Sequence, residues 1–127
     1  FRGLGAISAA ETGGDSAVRD LCLDREDCDR WLVQYRARLR AQNWPDDLRG
    51  RSMNRVNPRF VLRNYLAEAA IRQATAALAA PAGERDFSET SRLAELLQNP
   101  FDQQPGNDHY AALPPDWANA IEVSCSS

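Results

Sequence analysis

Cys28, Leu32, Tyr35 and Leu39 recur at spacings of four, three and four. That period puts them on one stripe of an α-helix, which Trp31 widens. No stretch alternates apolar and polar residues for long enough to make a convincing strand, and no internal repeat is present. The chain therefore reads as all-α: an irregular bundle of about four or five helices with a long C-terminal tail.

Local punctuation sets the expected helix ends. Asp15 is placed to cap a short helix reaching Leu23, with Val18, Leu21 and Cys22 facing inward. Asp24 caps the helix that carries the stripe, with Asp27 near its positive dipole end, and Glu26 and Arg30 form an i,i+4 pair on the wet side. Pro45 ends that stretch and requires Asn43-Trp44 to be extended. A short helix follows, to about Met53.

Asn57-Pro58 predicts the start of a helix running from Pro58 to about Ala80. Val61, Leu62, Tyr65, Leu66 and Ala69 fall on one face of it, and Phe60, Ala67, Ile71, Ala74 and Leu78 nearly opposite. Apolar on two sides, it belongs between neighbours. Asp86 and Glu89 read as a capping box for a helix through Leu97, ended by Asn99-Pro100. Beyond lie Pro105-Gly106, Pro114-Pro115 and a short turn from Trp117 to Ile121.

The first dozen residues read as a small, loop-like segment. We expect one helical domain over residues 1–127, with 1–23 a boundary segment and 118–127 a tail. No apolar run approaches the ~20 residues that span a bilayer, and no signal peptide is visible. The chain begins at Phe1 and its only methionine is Met53, so it reads as a fragment of a larger protein.

All 15 basic residues are arginine. The plain reading is a biased genome, but the chemical consequence holds: nothing here can form a Schiff base or supply a phosphate-gripping lysine. The stretch Arg36 to Arg63 holds eight arginines against Asp46 and Asp47, and the rest of the chain is net acidic. Such asymmetry points to an acidic partner or an acidic surface of the same protein. Nucleic acid is not expected, because the overall charge is −3 and no stacking aromatics interleave the arginines.

Cys22, Cys28, Cys125 and His109 are the soft metal ligands. On one continuous helix Cys22 and Cys28 would stand ~120° apart and ~9 Å apart along the axis. That spacing forbids an unstrained disulfide and suits no zinc site; a helix break near Asp24 weakens this geometry without creating a motif, and both cysteines read as small buried hydrophobes. His109 has no partner in a recognisable catalytic motif. Gly3 and Gly5 lack both the preceding strand and the third glycine of a nucleotide loop. If the Pro58 helix forms, Arg59 and Arg63 lie at i,i+4 and converge on a carboxylate or phosphate, with Arg55 near them; ion pairs to the chain's own acids are the plainer reading. Cys125 sits between serines in a polar tail, and Glu122 and the terminal carboxylate disfavour its thiolate.

Several separated motifs carry a resemblance. They are Met53 to Ala67, with its Arg-Val-Asn-Pro-Arg-Phe-Val-Leu-Arg-Asn-Tyr-Leu run; Pro100-Phe101-Asp102 with Gln104-Pro105; Tyr110 through Trp117; and the ending Glu122 to Ser127. Together they resemble the C-terminal region of the selenoprotein O (YdiU-type) family. The resemblance implies a kinase-like fold with inverted nucleotide orientation. It also implies transfer of AMP from ATP, with Mg or Mn, to Ser, Thr or Tyr hydroxyls of proteins, in the bacterial cytoplasm.

That family's catalytic, nucleotide and metal residues lie upstream, so none maps here, and this segment alone is expected to be inactive and to hold no cofactor. Its partners would be the kinase-like core of the same polypeptide and the protein substrates of the whole enzyme, with neither nucleic acid nor membrane. Cys125 matches the family's C-terminal selenocysteine position and so carries an implied redox role. The alternative is a stand-alone helical interaction module with an arginine-rich surface.

Overall fold

The computed structural model describes residues 1–11 and 15–121. It is all-α: among the described residues there are seven α-helices and no strand. They group into two compact units, Phe1–Pro58 and Arg59–Ser127, each with a hydrophobic cluster of its own.

The first unit contains α1 (Arg2–Gly5), α2 (Ser16–Arg19), α3 (Arg25–Gln42) and α4 (Asp46–Val56). α3 starts where its cap predicts: the Asp24 carboxylate accepts the Asp27 amide at 2.9 Å, and Glu26 and Asp27 occupy the positive first turn. The stripe is real. Cys28, Leu32 and Leu39 are buried, and Tyr35 packs against them. Trp31 stacks on Tyr35 with ring centroids 5.0 Å apart. Arg30 does not pair with Glu26; it bonds Asp27 one position nearer.

Two other local expectations are corrected. α2 is a single turn, and Leu21 lies 64% exposed beyond it, because the chain turns away before a second helical turn can form. Asn43 is not extended but left-handed, with φ 48° and ψ 38°. It closes α3, a conformation that asparagine tolerates better than most residues.

The N-terminal segment contributes more than its composition suggests. Ile7 is fully buried and joins Cys28, Leu32 and Leu39. The loop around it has few backbone bonds of its own, so side chains satisfy it. Arg36 donates to the carbonyls of Ser8 and Glu11 and to Asp15, Arg40 to Ala9 O, and Arg49 to Ile7 O. Asp46 accepts the Ala9 amide at 2.9 Å. α1 lies against α4 at a glycine: a Cβ on Gly50 would stand 2.9 Å from the backbone oxygen of Gly5. A mid-helix glycine costs about 1 kcal/mol against alanine, and this close approach is what requires it.

The second unit contains α5 (Asn64–Ala79), α6 (Ser88–Gln98) and α7 (Asp108–Ala111), with 3-10 turns at Ala82–Glu84 and Asp116–Ala120. Its core is Phe60, Tyr65, Leu66, Ala70, Leu93, Leu96 and Tyr110. The Asn-Pro signal is a stop and not a start. Asn57 closes α4, giving both its backbone and side-chain amide to Met53 O. The chain then runs non-helically to Arg63, and the amides of Arg59 and Phe60 both donate to Pro100 O, at 2.7 and 3.1 Å.

α5 is also less symmetrically buried than its wheel suggests. Tyr65, Leu66, Ala70 and Ala77 are inside, whereas Ile71 and Leu78 are 60% and 64% exposed. The box at the start of α6 is not made. The Glu89 carboxylate accepts the Tyr110 hydroxyl instead, at 3.0 Å, while Gln73 Oε1 takes the Glu89 amide and Asp86 takes that of Ser88.

Candidate functional site

The arginines of the basic stretch are mostly occupied inside the chain. Arg36, Arg40 and Arg49 hold the N-terminal loop, and Arg51 pairs with Asp47. Arg59 bonds Asp108, its guanidinium lies 5.7 Å from the Phe60 ring centroid, and its Nε is buried without a partner among the described residues. Arg63 donates to Ala112 O. Because α5 begins only at Asn64, Arg59 and Arg63 do not share a helical face. They fasten Asp108 and Ala112 to the non-helical run before α5, and do not converge on a vacant anion position. Arg55 is exposed in the last turn of α4, in the first unit, and no described carboxylate pairs with it.

His109 is exposed, with its ring centroid 4.0 Å from that of Tyr110. Burial and the Glu89 carboxylate raise the pKa of Tyr110, keeping its phenol protonated and donating. Arg72 lies over Trp117, which meets Tyr65 edge-on at 6.0 Å. Gly3 and Gly5 lie in α1, so that pair forms helix and no nucleotide loop. Cys125 lies outside the described residues.

The Ala9 amide holds the Asp46 carboxyl below the usual carboxylate range, with help from the Arg49 guanidinium. A depressed folded pKa contributes stability that is present above the unfolded value and lost as pH falls through the folded one. We expect stability to be insensitive to this group near neutrality and to fall below pH ~4. Asp46→Asn should flatten that acid limb in urea melts taken at successive pH values, and an unchanged limb would exclude Asp46 as its source.

Cys22 and Cys28 are the residues that spacing alone misplaced. They do not share a helix. α2 ends at Arg19, Asp24 caps α3, and the chain reverses between them. The two Sγ atoms are 2.7 Å apart. Both thiols are free; Cys28 is buried and Cys22 half-buried. The helix break expected near Asp24 is there, and it removes the one-helix geometry that would keep the two thiols apart. Among the described residues no group of three or more His, Cys, Asp or Glu could hold a metal ion.

Curated proteins match the chain along its whole length. The Protein nucleotidyltransferase YdiU of Paraburkholderia xenovorans (strain LB400) is 54% identical over 127 residues, covering 100% of this chain and 23% of the relative. The protein of the same name from Burkholderia thailandensis gives the same identity and coverage. Over its whole length this chain is similar to a segment of these YdiU proteins. It spans under a quarter of the length of the YdiU relatives it matches. No protein-family model matches it. Among the described residues, no helix is long and apolar enough to cross a membrane.

Proposed function

We propose that the chain is the C-terminal helical region of a bacterial, cytoplasmic protein adenylyltransferase. On this reading it buttresses a kinase-like core of the same polypeptide and carries Cys125 as a redox-responsive terminal thiol. The observation that carries the proposal is 54% identity, over every residue of the chain, to proteins named nucleotidyltransferases of which it represents 23%. The side chains agree with a supporting part. Arg36, Arg49, Arg59 and Arg63 are spent on backbone carbonyls and carboxylates of the chain itself. The whole enzyme would use ATP with Mg or Mn to modify protein hydroxyls. On this reading the groups that hold ATP and the metal belong to the kinase-like core.

The test is transfer of labelled AMP from ATP to protein, assayed with the full-length polypeptide and with this chain alone. We expect labelling by the former and none by the latter; turnover by the isolated chain would overturn the assignment. In the full-length protein, Cys125→Ser should abolish the response of that labelling to oxidant, and an unchanged response would remove Cys125 from the switch.

A further inference from the structure

Independently of that reading, the corner between α2 and α3 holds two thiols in bonding range. Their sulfurs, 2.7 Å apart, need to close by only about 0.7 Å to reach a disulfide bond length. Both line an open groove of about 770 Å³ whose other walls include Leu4, Val18 and Trp31. The groove gives a small reagent access to the half-buried Cys22, while Cys28, on α3, is the more buried of the two. The pair also lacks the further ligands of a thiolate metal site among the described residues.

We propose that Cys22 and Cys28 are a reversible dithiol–disulfide couple, a redox modification site distinct from the tail thiol and oxidised by low-molecular-weight disulfides. The Cys22 thiolate attacks one sulfur of the disulfide, whose S–S bond breaks and releases one thiolate, leaving a mixed disulfide on Cys22. Cys28 then gives up its proton and attacks the Cys22 sulfur; the intramolecular bond forms and the second small thiolate leaves. Two electrons pass to the small disulfide, and the two cysteine protons complete two small thiols.

The order follows from the geometry. Cys22 is the more accessible sulfur, and Cys28 is placed to resolve whatever forms on it. The hydrogen bond with Cys22, then burial, push the Cys28 thiol up to about 11, so it stays protonated until Cys22 has reacted. In a reducing compartment such a pair reports redox state and does not act as a permanent staple.

The sequence supplies a direct readout. Trypsin cleaves after Arg19, Arg25 and Arg30, placing Cys22 on peptide 20–25 and Cys28 on peptide 26–30. The full-length protein, equilibrated in glutathione buffers of graded poise, is quenched with an alkylating agent, digested and weighed. We expect the two peptides joined, two hydrogens lighter than their sum, rising from about a tenth to about nine tenths of the Cys22 signal over roughly 60 mV. Dithiothreitol should reverse this, and Cys125→Ser should leave it intact. Cys28→Ser should instead strand Cys22 as a glutathione adduct.

Full alkylation of both peptides at every poise would overturn the proposal. So would a Cys22 adduct that persists with Cys28 present, or either cysteine joined to a different one. Because the readout is covalent and needs no AMP transfer, its failure and the failure of the enzymatic reading are separately visible.

Discussion

Arg36→Met destabilises the first unit by about 3–5 kcal/mol, the usual cost of removing one partner of a buried ion pair. Arg36 is 6% exposed inside α3, where its guanidinium meets Asp15 and the carbonyls of Ser8 and Glu11. Methionine fills much the same space but leaves a carboxylate and two carbonyls without their donor. Urea unfolding followed by tryptophan fluorescence checks it, since Trp31 stacks on Tyr35 of the same helix. Asp15→Asn combined with Arg36→Met should cost less than the two changes summed, because both remove one interaction. A loss below about 1 kcal/mol for Arg36→Met would mean that the loop does not depend on this guanidinium.

Phe60→Ala has an effect of similar size in the second unit, about 3–5 kcal/mol. Phe60 is 1% exposed and packs with Tyr65, Leu66, Ala70, Leu93, Leu96 and Tyr110. It sits just before α5, on a run whose amides are tied to Pro100 O, so the surroundings have little freedom to collapse into the space. Phe60→Leu should recover most of the loss. Thermal melts of both variants decide the matter, and equal stability of wild type and Phe60→Ala would place Phe60 outside the core.

What the sequence made legible was local. The Asp24 cap and the spacing of Cys28, Leu32 and Leu39 located α3, and the helix expected to reach about Ala80 ends at Ala79. The misreadings share a physical origin in partners distant along the chain. Asn57-Pro58 fits a helix start as well as a stop; here it is a stop, and the run that follows is held through its amides to Pro100 O, some forty residues on. Glu89 suits a capping box until the Tyr110 hydroxyl claims it. Arg59 does pair with one of the chain's own acids, Asp108, as the plainer reading expects, but Asp108 lies 49 positions away, and Arg63 goes to the Ala112 carbonyl. Ile7, alone among small residues, carries no periodicity that would announce it as core. Cys22 and Cys28 were the exception, because the break that brings them together is written locally in Asp24.

Gly50 carries a consequence for comparison between relatives. Any other residue there brings a Cβ to 2.9 Å from the Gly5 oxygen, a rigid backbone atom with no rotamer to swing aside. A homologue with alanine or serine at the matching position must therefore have lifted its first helical turn off the fourth helix. That one column of an alignment would sort family members by the seating of their first turn before any of their coordinates were known.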